Sequence, residues 1–187
     1  MKPRIEPVSI EDADEPTREI FARMTPETRG LNVFRTFANH PALMRPWLGF
    51  AAYLLRSSTL EPRLRELVVL RVGWQCRSPY EWGQHVVVGR RSGVVDADLQ
   101  RVTLGADAEG WAAAEAAALR ATDELLERHS LRDATWAGLT AHFTTQQILD
   151  LIFLVGQYQL VATALNALRV ERDDGLDAAE VPFPSPP

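Results

Sequence analysis

The chain has a single cysteine, Cys76, in 187 residues. No intrachain disulfide can form, and a reducing, cytoplasmic setting is expected. Strand signals are scarce. No run of alternating β-branched residues and no Asn-Gly or Asp-Gly turn appears, and Val86-Val87-Val88 and Val94-Val95 are too short to argue for a sheet. Positive charge is not in excess either. The 20 basic and 25 acidic residues leave a net charge of −5, which disfavours nucleic acid as a partner. The longest uninterrupted apolar stretch, Leu151 to Gly156, is too short to span a bilayer, so no membrane partner is expected. Met1 to Glu19 is polar and Pro-punctuated rather than signal-like. No Gly-rich phosphate loop, dinucleotide fingerprint or G-x-S-x-G elbow is present.

What is present is ordinary globular composition, 46% hydrophobic and 24% charged. This length suits one domain that buries roughly 70% of its unfolded surface without metal or disulfide staples. Residues 1–15, with Pro3 and Pro7, read as an extended N-terminal arm. Residues 171–187 hold Pro182, Pro184, Pro186 and Pro187 and cannot be helical throughout; they read as a disordered tail or an extended strap. Between them, 16–170 reads as all-α. Periodicity places helices at about 16–24, 31–38, 42–56, 62–77, 79–92, 96–104, 111–129, 133–142 and 145–169.

Several boundaries have a mechanism. Pro62 suits a first helical turn. Ser78-Pro79-Tyr80-Glu81 and Thr144 with Gln147 have capping-box spacing. Gly93 sits where a left-handed C-cap is wanted. The last helix is apolar on nearly all sides, as expected of a central helix or one pressed against another subunit. Its polar Gln157 and Asn166 each need a partner.

The chemistry-bearing window is EPRLRELVVLRVGWQCRSPYEWGQHVVVGRRSG, Glu61 to Gly93. Glu66, Cys76, Glu81 and His85 cluster around the joint between two helices. Glu81 and His85 are four apart and share a helical face. A carboxylate there can fix the tautomer of an imidazole and raise its basicity, and such a pair moves protons at neutral pH. The free N–H groups at the start of the same helix suit a bound carboxylate or enolate. Competing readings are structural. Glu81 fits the capping box with Ser78 equally well, Glu66 can pair with Arg63 at three-residue spacing, and Cys76 reads as a small buried hydrophobe. The position of Cys76 at a helix joint can also lower its pKa. Tyr80 and Trp82 either pack or wall a pocket. His40 reads as structural or as part of the pocket mouth, and His129 and His142 suit helix C-termini. A metal site of Glu81 and His85 with Glu66 or Cys76 lacks a second histidine at ligand spacing, so none is expected.

Glu66, Ser78, Glu81 and His85 within RELVVLRVGWQCRSPYEWGQH resemble the signature of the carboxymuconolactone decarboxylase family, whose superfamily includes alkyl hydroperoxidase D. LNVFRTFANHPALMRPWLGFAAYLL at 31–55 is similar to the family's leading helices, and DLIFLVGQYQLVATALNALRV at 150–170 to its closing helix. The resemblance covers about 31–176. It implies a bundle of helix hairpins and a homo-oligomer, as a trimer, dimer or hexamer. In the hydroperoxidase branch two cysteines, two residues apart, precede the histidine. Here Ser78 and Glu81 occupy those positions, so a dithiol cycle cannot run within the chain. The resemblance then implies a cofactor-independent, decarboxylase-like lyase acting on a small organic acid or lactone. Its catalytic residues would be Glu81, His85, Glu66 and Cys76, with Ser78, Tyr80 and Trp82 binding substrate. Alternatives are a peroxidase using Cys76 with an external thiol, and a non-catalytic oligomeric binding protein.

Overall fold

The computed structural model describes residues 2–174, 176 and 183. Among these it contains ten α-helices and no strand: α1 (Glu15–Phe21), α2 (Pro26–Gly30), α3 (Asn32–Phe37), α4 (Pro41–Arg56), α5 (Pro62–Gln75), α6 (Pro79–Arg91), α7 (Asp96–Leu104), α8 (Ala113–Arg128), α9 (Asp133–His142) and α10 (Thr145–Leu168). Nine match the periodicity to within a few residues. The short α2 was not anticipated. Five residues are too few to show a period, although Thr25 caps it and Pro26 opens it.

The all-α expectation holds, but the centre of the bundle is α5 rather than the more apolar α10. Leu67, Val68, Val69, Leu70 and Val72 of α5 are fully buried, with α6, α7, α8 and α10 packed around them. The sequence pattern hides this because α5 carries its own buried charges. Arg71 donates to Asp123 Oδ1 at 2.6 Å and to the Val102 carbonyl at 2.6 Å. Satisfied in this way, a charge can stay inside. One main core cluster joins α4, α5, α8, α9 and α10 through Leu54, Val69, Ala118, Leu139 and Leu154. A second, around Leu67, Leu70, Trp82, Val86 and Leu119, holds α6 to α5.

The helix α10 is longer than its apolar runs suggest. It has 24 residues, and its most apolar window reaches a mean hydropathy of 1.7, enough by length and composition to cross a membrane. Yet 56% of that window is buried inside the bundle, as in a core helix. Its Thr144–Gln147 capping box forms as expected. Gly93 adopts φ +90 at the end of α6. His40 caps α4 by accepting from the Leu43 N–H at 3.4 Å, which makes it structural. His129 is the left-handed C-cap of α8, and His142 ends α9.

The arm up to Asp14 is non-helical and tied down. The Arg4 N–H donates to the Leu168 carbonyl and the Val8 N–H to the Arg35 carbonyl. Most of the Pro-rich tail, with Pro182, Pro184, Pro186 and Pro187, lies outside the described residues. The described part crosses α6. Asp173 accepts from Tyr80 Oη at 2.5 Å, Gln84 Nε2 at 2.6 Å and the Asn32 N–H at 2.6 Å. Phe183 packs against Trp74 and Trp82.

Candidate active site

Two glycines let α5 and α6 approach closely. A Cβ on Gly73 would lie 3.4 Å from the Trp82 backbone nitrogen and 3.6 Å from Glu81 Cβ. One on Gly89 would lie 3.3 Å from Val94 Cγ2 and 3.6 Å from Glu66 Cβ. The tight crossing sets Glu66 of α5 against the Glu81–His85 face of α6. Nδ1 of His85 lies 2.7 Å from Glu66 Oε2, and Nε2 lies 3.2 Å from Glu81 Oε1. Arg65 Nε donates to the other Glu66 oxygen at 3.1 Å. Tyr158 of α10 presents its ring edge-to-face to the imidazole, with centroids 4.9 Å apart at 87°.

All three acid–base residues are buried, with Glu66 at 0%, Glu81 at 4% and His85 at 8% exposure. Burial alone would discharge the imidazole. The hydrogen bonds and charges of Glu66 and Glu81 overcome it and push His85 up to about 10. Burial also works against the Glu66 carboxylate, but His85 and Arg65 hold it below its usual range. The direction of the shift favours the imidazolium at neutral pH, which suits His85 to donating a proton. Its Nδ1 proton is held by the shorter contact, which leaves the Nε2 proton as the one more easily released.

The capping-box reading of Ser78 and Glu81 fails. Ser78 makes no side-chain cap bond; its Oγ is fully buried and has no partner among the described residues. Glu81 turns to His85 instead, because an ion pair with a buried cation is stronger than a neutral cap contact. The first-turn N–H groups of α6 therefore have no side-chain cap. The Glu66–Arg63 pair also fails to form. Arg63 reaches Asp98 at 2.6 Å and Glu115 at 2.9 Å, leaving Glu66 to the interior. Cys76 ends α5 next to this joint, but burial and the nearby Glu81 charge push its thiol up, not down.

Tyr80 and Trp82 lie on other faces of α6. Tyr80 accepts from the Val33 N–H at 3.1 Å and donates to Asp173. It lines a cleft of about 450 Å³ with Asn166, Arg169 and Arg172, a cleft that His85 does not line. Trp82 is 2% exposed between Trp74, Phe183 and Val86. Asn166 finds its partner in the Cys76 carbonyl at 2.8 Å. Sequence reasoning missed Arg65 and Tyr158. Tyr158 sat within the apolar register Leu151, Val155, Ala162, where a phenol hydroxyl needs a partner of its own. Among the described residues no group of three or more His, Cys, Asp or Glu is arranged to hold a metal ion.

The model of the carboxymuconolactone decarboxylase family matches residues 41–124, from α4 to most of α8, including the whole acid–base cluster. The match is shorter than the resemblance read at 31–176 and leaves α10 outside. Several solved structures share the fold. A peroxidase-related protein with an alkylhydroperoxidase AhpD core, from Ralstonia eutropha, is 17% identical with a TM-score of 0.79, covering 94% of this chain and 95% of its own. A peroxidase-related protein from Silicibacter is 15% identical with a TM-score of 0.78, over 93% and 95%. The debrominase Bmp8, solved with 2,3,4-tribromopyrrole, is 14% identical with a TM-score of 0.75, over 98% and 99%. No curated protein matches the sequence. Residues 41–124 thus match the carboxymuconolactone decarboxylase family, and the solved structures show that the chain shares their all-α fold.

Proposed function

We propose that the chain is a cofactor-independent lyase that decarboxylates a small organic acid or lactone. The carrying observation is His85, buried and held between Glu66 and Glu81, which raise its pKa. Loss of carbon dioxide from a vinylogous acid leaves its bonding electrons in a dienolate. Protonation at carbon then needs a positioned acid. His85 supplies the proton from Nε2, Glu66 orients the ring through Nδ1, and Glu81 stabilises the cation on the substrate side. The uncapped N–H groups of the first turn of α6 face the substrate's negative charge. Solvent restores the proton after each turnover.

A peroxidase role is less well supported, since a thiol pushed up by burial is a poor nucleophile. A lone Cys76 fits a reducing cytoplasm. The test is carbon dioxide release from a panel of vinylogous acids and unsaturated lactones. Release by the native chain and a loss of roughly 10²- to 10⁴-fold in His85→Gln are expected. Full activity in the variant would remove this mechanism.

We also infer a homo-oligomer built on α4 and α10. Leu43, Phe50 and Tyr53 of α4 and Leu149, Phe153 and Leu160 of α10 are all exposed, and the rings of Phe50 and Phe153 meet edge-on at 6.1 Å. This exposed apolar patch fits a second copy of itself. Phe153→Glu is expected to shift sedimentation to a smaller species, and an unchanged profile would refute the interface.

A further inference from the structure

The chain has three tyrosines, and two of them are paired. Tyr53 donates to Asp150 at 2.9 Å, and Tyr80 donates to Asp173. Tyr158 is 6% exposed, yet its hydroxyl makes no hydrogen bond among the described residues. The ring is buried, but the hydroxyl is not one of the fully buried polar atoms, so its tip stays open to solvent or to a ligand. Its ring stands against His85 from α10, and Glu81 reaches the same imidazole from α6. Tyr158 therefore belongs to the acid–base cluster of Glu66, Glu81 and His85, against which its ring packs.

We propose that Tyr158 is a catalytic hydrogen-bond donor to the substrate oxygen on which negative charge collects, opposite the proton delivered by His85. The proposal rests on the decarboxylase reading and names the group that binds its oxyanion. When the carbon–carboxylate bond breaks, its electron pair moves through the conjugated system to that oxygen, and carbon dioxide leaves. The Tyr158 proton stays on its own oxygen throughout and is only shared. The pair then returns to carbon as carbon takes the Nε2 proton of His85. Burial and the charges of Glu81 and Glu66 keep the phenol protonated well above neutral pH, so it remains a donor in that charged setting. A substrate carrying a carbonyl conjugated to the departing carboxylate is the class this arrangement fits.

The experiment is Tyr158→Phe, which removes the hydroxyl and keeps the ring that packs on His85. Two readouts are taken: carbon dioxide release, and calorimetric binding of the enolate of 1,3-cyclohexanedione, a stable planar vinylogous anion. Expected are a loss of about a hundredfold in kcat, the size typical for one oxyanion donor, little change in KM, at least tenfold weaker enolate binding and an unchanged Tm. Equal enolate affinity in the native chain and the variant, or no enolate binding by the native chain, overturns the role of Tyr158. If enolate binding depends on Tyr158 but no acid or lactone in the panel releases carbon dioxide, the oxyanion donor stands and the decarboxylase reading falls.

Discussion

Two buried charge clusters flank α5, and they are built for different ends. Toward α7 and α8, Asp98 accepts from Arg63 at 2.6 Å, Arg101 at 2.5 Å and the Val95 N–H at 2.9 Å, while Arg63 also pairs with Glu115. Toward α6, His85 and Arg65 face Glu66 and Glu81. Each cluster sets two cations against two carboxyl groups. The first uses guanidinium groups, which keep their charge at every working pH, and surrounds its central carboxylate with donors. The second uses an imidazole, which can release its proton, and packs against Tyr158, whose hydroxyl makes no hydrogen bond among the described residues. Equal charge can hold a fold or run a reaction. The difference lies in whether the cation can let go and whether any polar group is left waiting.

The sharpest way to break this contrast is to remove the cation that titrates. His85→Gln leaves Glu66 and Glu81 buried with only Arg65 nearby, so the variant should lose about 3 kcal/mol of stability at neutral pH as well as turnover. Chemical denaturation measures the first, and the carbon dioxide assay the second. The pH dependence carries its own sign. His85 has a higher pKa folded, about 10, than its ordinary 6.5. The stability it contributes is full below about 6.5 and is lost as pH rises through about 10. Native unfolding free energy should therefore fall across that window, and His85→Gln should lose the slope. A native profile flat from pH 6.5 to 10 would mean that the imidazole is neutral and the acid role wrong.

Breaking the other cluster should separate the two effects. Asp98→Asn removes the carboxylate shared by Arg63 and Arg101, whose side chains are 33% and 28% exposed. With the arginine side about a third open to water, the loss should be about 2 kcal/mol. Carbon dioxide release measured well below the variant's Tm should stay within about twofold of native, because Asp98 touches nothing in the acid–base cluster. A tenfold fall in kcat would show that the clusters are coupled through α5.

The helices were legible because most carry a first-turn proline, a cap or a helical period, and the Glu81–His85 pair was legible because helical spacing alone makes it. Glu66 on His85 was not. It joins residues 19 apart across a crossing that depends on Gly73 and Gly89, and nothing local states the crossing. The Ser78–Glu81 spacing pointed to a capping box because both uses of Glu81 share one pattern, and only the position of His85 decides between them. Tyr80 and Trp82 flank the site in sequence but face the C-terminal segment and the second core cluster in space. Tyr158 was hidden in the helix whose apolar pattern reads as core.

The smallest effect falls on Cys76, and it tests the contrast from the side of the bystanders. The thiol sits at the same joint as Ser78 and Glu81, and its backbone carbonyl receives Asn166. It is half-buried, and its pKa is raised by burial and by Glu81, so at neutral pH it is a protonated, weakly polar filler. Cys76→Ser keeps the backbone contact and nearly the volume. Turnover should stay within about twofold and stability within about 1 kcal/mol. Peroxide consumption with an added thiol is expected to be absent in both proteins. Consumption by the native chain that disappears in Cys76→Ser would mean that sulfur, not the imidazolium beside it, is the reactive group at this joint.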